Sequence, residues 1–150
     1  NISDENLARI ATLKNVAGIK DATGDLLRVA TLRLLIKKKF SYLSGEDGTA
    51  VGYNAMGGNG VISVTSNIAP KLVSDLQRAT AKGDYKTALK IQDKLTDLHE
   101  AMFCETNPIP VKYAASLMGL CSPETRLPLV TPSAAARKRI EAEMKKVGLI

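Results

Sequence analysis

VAGIKDATGDLLRVATLRLLIK, residues Val16 to Lys37, sets a strand-length apolar run directly against a segment of helical spacing. Within the run, Val16 to Lys20, alternation puts Val16, Gly18 and Lys20 on one face and Ala17 and Ile19 on the other. From Asp25 to Lys37, a mostly apolar stripe of Leu26, Val29, Ala30, Leu32, Arg33 and Ile36 predicts a helix. The same unit recurs downstream. Phe40 to Ser44 reads as a strand, followed by a helix from Asp47 to Met56 that Gly57 and Gly58 close. Gly60 to Val64 reads as another strand, followed by a helix from Pro70 to Ala81. Pro70 suits a first helical turn and Gly83 a stop. Ahead of the first strand, Ser3 to Leu13 predicts a helix with Ser3 as N-cap and Asp4 and Glu5 in its first turn.

Strands that alternate with helices run parallel and are joined by right-handed crossovers. A parallel sheet needs both faces covered and its edges paired or hidden, which so few strands cannot provide by themselves. The chain opens on Asn1, and a helix with no strand before it precedes the first strand. The expectation is an α/β fold: the carboxy-terminal part of a (β/α)8 barrel, an architecture that usually takes about 250 residues. Such a part is expected to be unstable alone, with its open face and strand edges wet.

From Asp84 the alternation stops and only helices are predicted. Asp84 to Phe103 carries Tyr85, Ala88, Ile91, Leu95, Leu98 and Met102 near helical spacing. A proline-rich turn, Asn107-Pro108-Ile109-Pro110, leads to a helix from about Val111 to Met118. The last helix is expected from Pro132 to Val147, with Thr131 as N-cap and Gly148 as the terminating residue. Residues 1–83 are therefore assigned to the last strands and helices of a barrel, and residues 84–150 to an appended helical domain.

Composition narrows the function. Hydrophobic residues make up 45% and charged residues 24% of the 150, the proportions of an ordinary globular protein. No apolar stretch approaches the roughly 18–20 residues of a membrane span, so no membrane partner is expected. Cys104 and Cys121 form no CxxC pair and have no histidine at ligand spacing; they read as free thiols, with no metal site. With no leader-like opening, the expected compartment is the cytoplasm. The net charge of +6 raises the question of nucleic acid. Its clusters, Lys37-Lys38-Lys39, Arg137-Lys138-Arg139 and Lys145-Lys146, have neither zinc-finger spacing nor an aromatic-rich reader motif beside them. The first and last fall at helix ends, where cations complement the macrodipole. A solvated basic surface is favoured over a nucleic-acid interface.

Three places could carry chemistry. Lys20 ends a parallel strand above a glycine, at the mouth where barrel enzymes react substrates. Burial of a lysine amine favours its neutral, nucleophilic form, which attacks carbonyls to give Schiff bases. A lysine just past a strand end also extends readily to solvent, and position alone does not choose between the two. Ser44-Gly45-Glu46-Asp47-Gly48 opens a helix, where free amides bind carboxylates; it is equally an ordinary strand-to-helix turn with Asp47 as N-cap. Gly57-Gly58-Asn59-Gly60 precedes a strand, the wrong order for a dinucleotide fingerprint. Ser63 or Asn67 could reach a mouth beyond that strand. His99, the sole histidine, stands remote in sequence from every other candidate, so neither a triad nor a metal role is expected of it.

At these residues the sequence resembles the dihydrodipicolinate synthase and N-acetylneuraminate lyase superfamily. The resemblance rests on Gly18-Ile19-Lys20-Asp21-Ala22-Thr23-Gly24, on Ser44-Gly45-Glu46-Asp47 and on Gly57 through Asn67. It continues through Glu105 to Lys112 and Arg126-Leu127-Pro128-Leu129, in family order and over nearly the whole chain. Ala22-Thr23-Gly24 and Val61-Ile62-Ser63-Val64 resemble the synthase branch. The resemblance implies that Lys20 is the Schiff-base lysine and that Gly45 and Ile62 line the pyruvate pocket. It further implies pyruvate and aspartate semialdehyde as substrates, no cofactor, and a homotetramer when complete. The family's proton-relay tyrosines, carboxylate-binding threonine loop and substrate arginine lie in an amino-terminal half. Tyr42, Tyr53, Tyr85 and Tyr113 do not match those positions, so the chain carries only part of such a site. A sister aldolase acting on a sugar-acid aldehyde, and a non-catalytic assembly chain, are the alternatives.

Overall fold

A computed structural model describes all 150 residues. Its elements run α1 (Asp4–Ala11), β1 (Gly18–Asp21), α2 (Leu26–Leu35), β2 (Ser41–Ser44), α3 (Ala50–Ala55) and β3 (Gly60–Val61). A 3₁₀ turn (Thr65–Asn67) follows, then α4 (Pro70–Ala81), α5 (Tyr85–Ala101), α6 (Ile109–Leu117) and α7 (Ala134–Val147). The strands are parallel, in the order β1-β2-β3. Every predicted helix and strand is present, and the differences lie at their ends.

Those differences have local causes. Ser3, Asp25 and Asp84 cap α1, α2 and α5 by accepting backbone N–H bonds, as polar residues at these positions should. The α7 cap is Ser133, not Thr131, and its hydroxyl accepts from Ala136 N–H; Gly148 ends the helix in the left-handed conformation at φ 78°. Strand β1 starts later than Val16 and gains Asp21. Strand β3 is much shorter than Gly60 to Val64. The Asn59 side chain begins it by accepting from Tyr42 N–H at 2.8 Å, and the backbone beyond Ile62 turns away into the 3₁₀ segment. Asp47 does not cap α3: the Glu46 carboxylate takes Gly48 and Thr49 N–H, leaving Asp47 free to turn inward.

The two faces of the sheet differ. Ile19 and Tyr42 point toward α1, α2 and α3, where Leu7, Val29, Leu32, Phe40 and Tyr53 form a buried cluster with them. The register pairs Lys20 with Leu43 and Leu43 with Gly60, so these side chains and Ile62 share the opposite face. No helix of this chain covers that face: Lys20 is exposed and Ile62 is 44% exposed. The sheet is clothed on one side only, whereas parallel sheets ordinarily have both faces covered.

The largest apolar cluster lies at the other end of the molecule. Ile68, Ala69 and Val73 pack there with Leu95, Leu98 and Met102 of α5 and its cap, with Val111 and Ala114 of α6, and with Ile140 and Met144 of α7. The helices after residue 84 are thus built directly onto α4 and the 3₁₀ turn. No helix is long and apolar enough to cross a membrane.

Candidate active site

The carboxyl ends of the strands bring Lys20, Gly45 and Ile62 together along one edge of the open face. Lys20 pairs in register with Leu43, and Gly45 follows one residue after β2. Gly45 N–H donates to Asp21 C=O at 2.7 Å, and Ile62 N–H to Ser44 C=O at 2.8 Å, so ladder bonds extend across all three positions. A side chain at Gly45 has no room: a Cβ there would lie 2.7 Å from Lys20 Cε and 2.8 Å from Ala22 Cβ. The lysine stem therefore lies flat against the Gly45 backbone. Gly18 is required in the same way one step below, where a Cβ would meet Ser41 O at 2.6 Å.

The end of β1 is tied down by charge. Asp21, 3% exposed, accepts from Thr23 N–H and from Arg28 Nη1, both at 3.1 Å. Arg28 also donates through Nε to Asp4 at 2.8 Å and through Nη2 to the Ile2 carbonyl at 2.6 Å. Asp4 first, and Asp21 with it, hold the guanidinium above its ordinary range. Lys20 thus projects from a backbone anchored to α1 and α2 by its immediate neighbour.

The loop after β2 satisfies itself. Ser44 Oγ accepts from Glu46 N–H at 3.1 Å, and Glu46 holds Gly48 and Thr49 at 2.8 and 2.6 Å. Gly45, Glu46, Gly48 and Thr49 have no free amide for an anion, so the ordinary turn describes this loop better than a carboxylate cradle. Sequence reasoning missed two side chains that shape the site. Asp21, the last residue of β1, and Asp47, three residues after β2, are both nearly fully buried, and an acid near a strand end carries no mark of whether it faces solvent or an incoming loop.

Of the tyrosines, Tyr53 is buried among the α1 and α2 side chains. Burial, and secondarily the Asp21 carboxylate, pushes its hydroxyl up to about 12, so it stays protonated. Tyr113 donates to Glu141 at 2.6 Å, which raises it as well. Ser63 accepts from Ser66 N–H at 2.8 Å, and Asn67 Nδ2 donates to the Val64 carbonyl at 2.9 Å, so both serve the turn after β3. No group of three His, Cys, Asp or Glu side chains is placed to hold a metal ion.

His99 is buried, with Nδ1 2.7 Å from Thr65 Oγ1. Desolvation lowers its pKa; Asp47 and Glu46 pull the other way and lose. The folded state therefore disfavours the imidazolium relative to the unfolded chain, and the unfolded chain binds more protons below its ordinary value of 6.5. The stability this contributes is complete above that value and declines as pH falls. Between pH 7 and 5 the melting temperature should drop more steeply for the wild type than for His99→Gln, the difference approaching at most about 1.4 kcal/mol per pH unit. Parallel thermal melts across this range test it.

Replacing Gly45 by alanine should displace the Lys20 stem and force the Ala22 methyl aside. The overpacking costs about 1–3 kcal/mol. The effect on any reaction at Lys20 should exceed the loss of stability, because the displaced atom is one bond from the amine. Carbonyl adduct formation at Lys20 should slow by about 10- to 100-fold, since misplacement of a reacting group by about 1 Å is of that consequence. Adduct kinetics beside thermal melts separate the two effects.

The chain is similar to known proteins along its whole length. A family model described as the dihydrodipicolinate synthetase family matches residues 1–147. A 4-hydroxy-tetrahydrodipicolinate synthase of Parvibaculum lavamentivorans is 53% identical over 150 residues, 100% of this chain and 52% of that protein. One from Cereibacter sphaeroides is 49% identical over 150 residues, again 100% of this chain and 52% of the relative. Among solved structures, dihydrodipicolinate synthase of Aquifex aeolicus matches with a TM-score of 0.96 at 36% identity, over 99% of this chain and 51% of that one. The chloride-inhibited enzyme of Acinetobacter baumannii, complexed with pyruvate, matches with a TM-score of 0.94 at 39% identity, over 100% and 52%. The chain spans about half the length of the curated relatives it matches. With the family model matching residues 1–147, the chain belongs to the dihydrodipicolinate synthetase family.

Proposed function

We propose that the chain is the carboxy-terminal part of a (β/α)8 barrel, with residues 1–83 supplying its last strands and helices and residues 84–150 its helical domain. The complete protein is then a 4-hydroxy-tetrahydrodipicolinate synthase that condenses pyruvate with aspartate semialdehyde, as a cytoplasmic homotetramer. The observation that carries this reading is the bare face of the sheet, from which Lys20 projects with its stem against Gly45. Strands contributed by the rest of the barrel would cover that face and enclose the amine.

In this reading the Lys20 nitrogen attacks the ketone carbon of pyruvate, and loss of water gives the imine. A proton leaves the pyruvate methyl, and the electron pair moves into the enamine. The enamine carbon bonds to the aldehyde carbon of aspartate semialdehyde, whose oxygen takes a proton. The substrate's own amino group then adds to the imine carbon and expels the Lys20 amine, which closes the ring and frees the enzyme. Gly45 leaves room for the lysine stem that carries the amine, and Ile62 bounds the pocket on the next strand. The chemistry needs an amine and proton transfers and no cofactor.

The test is the mass of the full-length protein after incubation with pyruvate and borohydride. A pyruvate-sized adduct on Lys20, with turnover preferring aspartate semialdehyde over sugar-acid aldehydes, is expected. No adduct would overturn the imine mechanism. An adduct with no preference for aspartate semialdehyde would move the protein to a sister aldolase.

A further inference from the structure

Asp47 joins the two loops that carry Gly45 and Ile62. Its side chain is 3% exposed, and Oδ2 accepts from Val64 N–H at 2.9 Å and Thr65 N–H at 3.1 Å. Val64 and Thr65 lie two and three residues beyond Ile62, whose own N–H is the last to bond β2, at Ser44 C=O. The backbone leaves the sheet here because a carboxylate, not a neighbouring strand, takes these amides. Both bonds are charge-assisted and fixed in direction, a stronger link than a neutral hydroxyl would make.

The clamp is backed from α5. Gln92 Nε2 donates to Gly48 C=O at 3.2 Å, and Thr65 Oγ1 bonds His99 Nδ1 at 2.7 Å. Gln92 and His99 are both buried. The loop after β2, the turn after β3 and the first helix of the helical segment are thus locked to one another through Asp47 and Thr65.

We infer that Asp47 is a positioning residue of the imine site, which holds Ile62 at a fixed distance from Gly45 and Lys20 and so sets the fit of pyruvate. The inference deepens the proposed function and rests on it. The Asp47 carboxylate makes no hydrogen bond to Lys20; it acts through the backbone of Val64 and Thr65. Its loss should therefore weaken pyruvate capture more than it slows the later steps, in which pyruvate is already held covalently by Lys20.

The experiment uses the full-length enzyme with Asp47→Asn and Asp47→Ala. Readouts are the KM for each substrate, kcat, the pyruvate concentration giving half-maximal borohydride adduct, and the melting temperature. Asparagine keeps an acceptor oxygen without the charge and should raise the pyruvate KM about 5-fold; alanine, which loses both bonds, should raise it about 30-fold or more. In both, kcat at saturating pyruvate and the aldehyde KM should stay within about 3-fold, and the adduct midpoint should move with the pyruvate KM. If alanine prevents folding, the asparagine variant decides alone. A wild-type pyruvate KM overturns the inference. So does an equal change in both KM values alongside a lowered melting temperature, which would reduce Asp47 to a structural support. If the wild type itself forms no adduct, the proposed function falls first and takes this inference with it.

Discussion

On the proposed mechanism, Lys20→Ala in the full-length protein should abolish the borohydride-trapped pyruvate adduct and lower kcat on the order of 10³-fold or more, since the covalent route would have no substitute nucleophile. The neighbourhood supports so specific a loss. Lys20 is the one lysine within the three strands, and Asp21, the residue that anchors β1, bonds Thr23 and Arg28 without using the Lys20 side chain. Lys20 is exposed in this chain, and its truncation removes no buried contact beyond its stem on Gly45. In the full-length protein the rest of the barrel would enclose position 20, but alanine removes no core packing of this chain, so the stability loss should stay at that of an average point substitution, about 1 kcal/mol. Adduct mass, turnover and thermal melts on the same preparations check all three. Retained turnover in the variant would show that the amine is not the nucleophile.

The largest effect on stability is expected from Leu98→Ala. Leu98 is wholly buried at the centre of the cluster that joins α4, α5, α6 and α7. Alanine there leaves a cavity among Met102, Ala114, Ile140 and other side chains that are themselves fully buried, so little collapse is available. The cost should be about 2–5 kcal/mol. Denaturant unfolding of the full-length protein should show a lower midpoint with an unchanged slope. Because this cluster contains Ile68 and Ala69, next to the turn that Asp47 and His99 hold, some loss of pyruvate affinity should accompany the loss of stability. Chemistry at saturating substrate should be preserved. An effect below about 1 kcal/mol would mean that the cluster repacks freely, contrary to the close-packed interior seen here.

The alternation of strands and helices was legible in the sequence because each element satisfies its own local physics. Val16 to Lys20 and Phe40 to Ser44 are short apolar runs between breakers. Ser3, Asp25 and Asp84 are side chains that bond helix amides wherever they occur at a helix start. Pro70 and Gly83 mark the ends of α4 through their own backbone constraints. The placement of Lys20 at a strand end followed from the same alternation, and the resemblance of its surroundings gave it a chemical meaning. What stayed out of reach depends on contacts between segments distant in the chain. Strand β3 ends early because Asp47, 17 residues before Val64, turns inward and takes its amide. Asp47 is free to do so because Glu46 takes the amides of the loop ahead of α3, Gly48 and Thr49. Likewise, His99 became a buried partner of Thr65 through the packing of α5 on the 3₁₀ turn, at a separation of 34 residues. Propensity and periodicity act over a few residues and are written into the sequence directly. The choice of which buried carboxylate meets which orphaned amide is made only when the chain has closed on itself, because only then does each amide lose its water.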